Sequence, residues 1–66
     1  MSIVKVIEVL AEGKTIEAAM ESAVKDASKT VRNIKSLYLE NLQAIVEDDK
    51  ITKYRVNVKV SFVVGD

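Results

Sequence analysis

The chain has 66 residues, of which ten are basic and ten are acidic, and it contains no cysteine and no histidine. This composition excludes disulfides and the usual Cys/His zinc sites, and it removes the side chains behind most nucleophilic and general-base mechanisms near neutral pH. Zero net charge is unfavourable for binding nucleic acids or anionic membranes. We therefore expect residues 1–66 to form a single, non-enzymatic domain without a nucleic-acid or membrane partner.

The first predicted element is a strand over residues 2–11, SIVKVIEVLA. Its apolar residues fall on both faces, which indicates burial on both sides. Lys5 and Glu8 interrupt the apolar run, which is also too short for a signal peptide or a membrane span, so we expect a cytoplasmic protein. A turn over residues 12–14 should follow, with Gly13 free to adopt a positive φ.

The second predicted element is an amphipathic helix of about four turns. Thr15 is a candidate N-cap, and Asn33 is a candidate left-handed residue at the C-terminal end. Several stripe positions are alanines, which would let the helix lie close to a sheet. The apolar stripe has helical spacing and consists of Ile16, Ala19, Met20, Ala23, Val24, Ala27 and Val31.

Two long strands complete the chain. Residues 34–47 alternate imperfectly, and the change of phase predicts a β-bulge near Asn41. Residues 47–50 form a predicted hairpin turn, and residues 51–64 form the last strand. Its alternation is nearly perfect: the apolar side holds Tyr54, Val56, Val58, Val60, Phe62 and Val64, and the polar side holds Lys53, Arg55, Asn57, Lys59 and Ser61. The fold class is therefore α+β, with β-α-β-β order and a three-stranded antiparallel sheet wrapped around one helix.

The lengths of these elements predict self-association. A 13-residue strand spans roughly 43 Å, whereas a four-turn helix spans roughly 22–25 Å. One helix cannot cover the apolar face of the long hairpin, and a chain this short lacks disulfides or a zinc site to supplement its core. We therefore expect a homo-oligomer in which other copies cover the remaining apolar surface.

Two groups of polar residues are candidate sites, each with a simpler alternative. The polar side of the last strand is suited to an anion or a polar cofactor, or it is an ordinary solvated sheet face. An acidic group is suited to a hard cation such as Ca²⁺, or it consists of a solvated turn and carboxylates paired with neighbouring cations. Tyr38 is placed on the polar face, either to stack on a ligand or to fill a subunit interface. The acidic group consists of Glu8, Glu40, Glu47, Asp48 and Asp49.

Three segments together resemble the dodecins: KVIEVL at residues 5–10, EAAMESAVKDASKTVRNI at residues 17–34 and YRVNVKVSF at residues 54–62. The resemblance covers essentially the whole chain. It implies a hollow spherical homododecamer with helices outside and sheets inside. It also implies a non-enzymatic store of small ligands, since most dodecins bind flavins (riboflavin, FMN or FAD) in stacked pairs at subunit interfaces, and some hold coenzyme A.

Two positions depart from the flavin-binding pattern. Ser36 stands where these dodecins carry a Trp that stacks on the flavin ring, and Arg55 stands where they carry a Gln that hydrogen-bonds it. Serine offers no stacking surface, and arginine has donors but no acceptor. The chain is more similar to the calcium dodecin branch, which lacks the Trp and has Arg after Tyr. The resemblance thus implies a small-ligand protein with weak or absent flavin binding, whose remnant site includes Ser36, Tyr38 and Arg55; a structural or calcium-binding dodecameric shell is the alternative.

Overall fold

A computed structural model of the chain describes residues 3–65. It contains β1 (Ile3–Gly13), α1 (Ile16–Ala27), β2 (Ile34–Glu47) and β3 (Lys50–Val64). The strands form one antiparallel sheet in the order β1-β3-β2, and α1 packs on one face of it. The predicted α+β class and β-α-β-β order are confirmed. Ser2, the first residue of the predicted first strand, lies outside the described residues.

The core lies between α1 and alternate residues of the central strand β3. Phe62 is 8% exposed, and three valines of β3 are fully buried. The helix contributes only alanines to the fully buried set, and the absence of longer side chains lets its axis approach the sheet closely, as predicted. The cluster consists of Ala19, Ala23, Ala27, Val56, Val58 and Val60.

The helix begins where the sequence predicts and ends earlier. The Thr15 hydroxyl accepts a hydrogen bond of 3.0 Å from the Ala18 backbone N–H, which confirms the N-cap. The prediction of about four turns is wrong, because α1 has 12 residues and Ser28 is its C-cap. Asn33 does have a positive φ of 62°. It lies beyond the helix, and its carbonyl accepts a hydrogen bond from the Val63 N–H, which ties the connection to the end of β3.

Gly13 has a different role from the one predicted. It belongs to β1, in register with Tyr54, and it does not have a positive φ. A Cβ atom at this position would lie 2.5 Å from the Ala19 backbone nitrogen and 2.9 Å from the carbonyl carbon of Ala18. The absence of a side chain therefore lets the first turn of α1 rest directly on the end of β1.

The two long strands form the predicted hairpin. A register shift between Leu39 and Asn41 confirms the predicted bulge, and further shifts occur between Ile34 and Ser36 and between Ile45 and Val46. At the turn, Asp48 and Asp49 have φ values of 53° and 64°. Two consecutive positive φ values indicate a type I′ connection.

The prediction that β1 is buried on both faces is wrong for the single chain. Ile7 and Val9 pack against the core, whereas Val4, Val6 and Leu10 are 54–65% exposed on the opposite face. The reason is that the sheet has a helical layer on one side only. Within residues 3–65, no helix is both long and apolar enough to cross a membrane.

Candidate functional site

The sheet face opposite α1, which we call the open face, carries the polar side of β3. Because alternate residues of a strand point to opposite faces, burial of the β3 valines against α1 places the residues between them on the open face. These residues are Arg55, Asn57, Lys59 and Ser61, and the strand register sets them beside polar residues of β2 and mixed residues of β1. Since β3 is central, its open-face side chains have neighbours on both sides.

One end of the open face is built around Ser36 and Tyr38. The Ser36 hydroxyl lies 2.5 Å from the Ser61 hydroxyl across the β2–β3 pair. Tyr38 lies opposite Lys59 and is 67% exposed, so it is on the polar face as predicted. The Lys59 ammonium is 3.6 Å from a Glu40 carboxylate oxygen. This pair confirms the simpler interpretation of Glu40, a carboxylate beside a neighbouring lysine.

The other end is built around Arg55, whose guanidinium is held by Glu12. These residues are direct cross-strand partners. Arg55 Nε donates a hydrogen bond of 2.8 Å to Glu12 Oε2, and Arg55 Nη2 is 2.7 Å from the same oxygen. Lys53 Nζ lies 3.0 Å from the other carboxylate oxygen. The three side chains form an ion triad that carries one net positive charge.

The triad lowers the pKa of Glu12. Hydrogen bonding to Lys53 is the largest cause, and hydrogen bonding to Arg55 is the second. Both favour the ionised carboxylate, so Glu12 stays charged to a lower pH than an isolated glutamate. At neutral pH the site therefore contains an ionised Glu12 carboxylate that is bound to two cationic side chains.

Arg55 also borders the polar cleft of the open face. This cleft has a volume of about 410 Å³ and is lined by Leu10, Asn41, Leu42, Gln43, Arg55 and Asn57. Asn57 Oδ1 is buried there and has no hydrogen-bond partner among the described residues. A buried acceptor without a partner costs free energy, on the order of 1–3 kcal/mol, so a hydrogen-bond donor that reached Asn57 Oδ1 would stabilise the site.

The sequence pattern places Arg55 and Asn57 on the open face but does not identify Glu12 or Gln43. It predicts that Glu12 lies in a turn, because the predicted first strand ends at residue 11 and β1 extends to Gly13. Extending that strand to Gly13 would have set Glu12 opposite a basic residue of the last strand. Gln43 is brought opposite Arg55 only by the bulge near Asn41, whose exact position the alternation does not determine.

Ser36 and Arg55 are not adjacent within one chain. Ser36 is paired with Ser61, which lies six residues along β3 from Arg55. Six residues of a strand span roughly 20 Å. Tyr38 lies at the Ser36 end. A single small ligand therefore cannot contact both Ser36 and Arg55 of the same chain.

The acidic candidates are dispersed. Three of them lie at the tip of the hairpin, namely Glu47, Asp48 and Asp49. Glu40 pairs with Lys59, and Glu8 lies on β1. In the part of the chain that the structure describes, no group of three or more acidic side chains is arranged to hold a metal ion.

Comparisons with known proteins agree on the fold. The chain is similar to the crystal structure of the tt0972 protein from Thermus thermophilus, with a TM-score of 0.91, 21% identity, and coverage of 100% of this chain and 98% of that chain. It is similar to dodecin from Streptomyces davaonensis, with a TM-score of 0.89, 18% identity, and coverage of 98% and 97%. Dodecin from Streptomyces coelicolor gives a TM-score of 0.88 at 23% identity, with coverage of 98% and 94%.

Of the two sequence comparisons, one found no match and the other found a family. No curated protein sequence matched the chain. The family model described as Dodecin, however, matches residues 3–65, which is nearly the whole chain. The chain belongs to the dodecin family.

Proposed function

We propose that the protein is a non-enzymatic, cytoplasmic homododecamer of one-domain subunits that binds or stores a small ligand, and that its binding of flavin is weak or absent. The observation that carries this proposal is the composition of the open face. Uncovered apolar side chains of β1 lie on the same sheet face as the polar cleft beside Arg55. The first feature favours assembly, and the second supplies a place for a ligand.

The case for assembly rests on exposed apolar area. Val4, Val6 and Leu10 project from the open face, and Val46 and Ile51 are exposed near the hairpin end. The chain extends 51 Å in its longest dimension, whereas the 12-residue helix covers about 18 Å of it. Exposed aliphatic residues along a long sheet are typical of a surface that other copies cover. Membership of the dodecin family supports a dodecamer as the form of that assembly.

The case against tight flavin binding rests on two side chains. Ser36 is engaged with Ser61 and offers no aromatic surface, which forfeits a stacking contribution of roughly 0.5–1.5 kcal/mol beyond area burial. Arg55 cannot accept a hydrogen bond, and its guanidinium is directed at Glu12. Tyr38 is the aromatic residue nearest to Ser36 along β2, and it remains available to contact a planar ligand between subunits.

A structural or calcium-binding shell is the alternative function. It would need carboxylates from more than one subunit, because no group of three within the described residues of one chain is arranged to hold an ion. The hairpin tip, with Glu47, Asp48 and Asp49, would supply the acidic residues. A thermal melt with calcium and with a chelator separates the two functions, since a structural ion raises the melting temperature.

Native mass spectrometry of the freshly purified protein tests the proposal directly. We expect a homododecamer, with any retained ligand visible as added mass. A stable monomer at micromolar concentration would overturn the assembly. Titration of riboflavin with the protein tests the second part: we expect no fluorescence quenching at sub-micromolar protein, and strong quenching there would show that flavin binding survives without the stacking Trp.

A further inference from the structure

We propose that Glu12 is a specificity-determining residue of the Arg55 cleft, acting as an internal anion that an anionic ligand group must displace from the Arg55 guanidinium. This inference rests on the proposed small-ligand function and assigns the cleft a ligand class, a molecule bearing a phosphate or a comparable multiply charged anion. A monocarboxylate has the same charge as Glu12 but lacks its tether to the chain, so it competes poorly.

Both carboxylate oxygens of Glu12 contact a cationic side chain, Arg55 or Lys53. Its Oε2 atom takes both Nε and Nη2 of Arg55, at 2.8 and 2.7 Å, and its Oε1 atom takes Lys53 Nζ at 3.0 Å. The Nε/Nη2 edge is one of the two edges of a guanidinium that grip an oxyanion with two parallel hydrogen bonds. With Glu12 in place, an incoming anion meets only the other edge.

The location of Arg55 between two clefts means that its contact with Glu12 affects which cleft the guanidinium serves. Arg55 and Leu10 line both the 410 Å³ polar cleft and a second cleft of about 370 Å³ that contains Glu12. Arg55 thus forms the wall between the two clefts, and Glu12 holds its guanidinium on the β1 side. Asn57, two residues along β3 on the same face, lines the polar cleft, and its buried Oδ1 has no hydrogen-bond partner among the described residues. A guanidinium released from Glu12 would add a hydrogen-bond donor to the side of the cleft that Asn57 also lines.

Charge sets the direction of the effect. The triad carries one net positive charge, and replacing Glu12 by Gln raises this to two while keeping the size of the side chain. All three side chains are more than one-third exposed, so solvent screens the interaction and the expected change in affinity is moderate. We expect the affinity for a phosphate anion to rise about three- to tenfold, because a competing anion is lost and a positive charge is unmasked.

Isothermal titration with sodium pyrophosphate at low salt tests this inference on the intact assembly. Glu8→Gln is the matched control, since it makes the same charge change on the same strand and face but lies opposite Lys59. We expect E12Q to bind pyrophosphate three- to tenfold more tightly than the wild type, and E8Q to stay within twofold. Equal gains in the two variants, or no gain in E12Q, would overturn the role of Glu12. Arg55→Gln should abolish the binding, and unchanged binding in R55Q would place the anion elsewhere.

A measurement without ligand separates this inference from the proposed function. The Arg55 Nε–H should exchange slowly with water in the wild type and E8Q, as seen by ¹⁵N NMR, and rapidly in E12Q. Equally rapid exchange in all three proteins would show that Glu12 does not hold Arg55, whatever the cleft binds. Slow exchange in the wild type without pyrophosphate binding by any variant would instead overturn the cleft as an anion site, and with it the ligand class proposed here.

Discussion

Replacing Gly13 by alanine should destabilise the protein, because the new Cβ would enter the backbone of α1. That atom would lie 2.5 Å from the Ala19 nitrogen and 2.9 Å from the Ala18 carbonyl carbon and the Ala19 Cα. Ordinary contact needs at least 3.4 Å, so the first turn of the helix would have to move by nearly 1 Å. The obstructing atoms are backbone and cannot rotate away as a side chain would.

The expected magnitude follows from two opposing effects. Overpacking of a tight contact costs typically 1–3 kcal/mol. Loss of glycine's freedom in the unfolded chain offsets roughly 0.4–1 kcal/mol of this. We therefore expect a net loss of about 1–2 kcal/mol, which corresponds to a fall of roughly 5–15 °C in the melting temperature of so small a domain.

Thermal melts by circular dichroism at one fixed protein concentration measure the effect, because the stability of an oligomer depends on concentration. Gly13→Asn is the informative comparison. Asparagine tolerates a positive φ but carries the same Cβ atom, so it should cost at least as much as alanine. A melting temperature for G13A equal to that of the wild type would refute the close-approach argument, and rescue by G13N would show that Gly13 acts through its backbone conformation instead.

Four further changes test other parts of the structure. Asp49→Gly should raise the unfolding free energy by about 0.5–1 kcal/mol in a thermal melt, because glycine favours the positive φ that Asp49 adopts in the turn; a loss would contradict the type I′ assignment. Glu12→Gln should flatten the acid side of the curve of unfolding free energy against pH. The folded-state pKa of Glu12 lies below the unfolded value, so the stability that its charge contributes is complete above about pH 4.5 and is lost as pH falls through the folded pKa. Parallel curves for the variant and the wild type would count against the triad. Ser36→Trp with Arg55→Gln should strengthen riboflavin binding at least tenfold in a quenching titration, and no gain would show that other residues exclude flavin. Val6→Asp should dissociate the assembly in sedimentation while the far-ultraviolet circular dichroism remains, and an intact dodecamer would remove the open face from the interface.

The order of the elements could be predicted from the sequence because the two periods are unambiguous where they matter. The strict alternation around Val58 leaves one arrangement for β3, and the alanines of α1 have helical spacing. The end of the helix could not be predicted in the same way. Val31 continues the apolar stripe and does pack against the core, but it does so from the connection after Ser28. A residue can satisfy the helical pattern without being in the helix.

The candidate site was predictable only in part for a related reason. The face on which Arg55 and Tyr38 lie follows from alternation alone. The partners of Arg55 depend on how the other strands are aligned beside β3, and that alignment depends on where β1 ends and where β2 is bulged. The tight contact with α1 lies at Gly13, the last residue of β1, and it appears in the sequence only as a glycine.

The strand order has a consequence for how the chain folds. The central strand β3 is the last of the three to be synthesised, and β1 pairs with it across nearly the whole length of the chain, from Ile3 opposite Val64 to Gly13 opposite Tyr54. The β2–β3 hairpin can close locally through its two-residue turn. The contacts of β1 with β3 are separated by 41 residues at Gly13–Tyr54 and by 61 at Ile3–Val64, so the entropy of closing a long loop must still be overcome. Until then, the apolar residues on both sides of β1 are exposed, and the helix has no completed sheet on which to pack. Completion of the fold is therefore a late event that follows synthesis of β3, and β1 is the segment most exposed to misassembly before it.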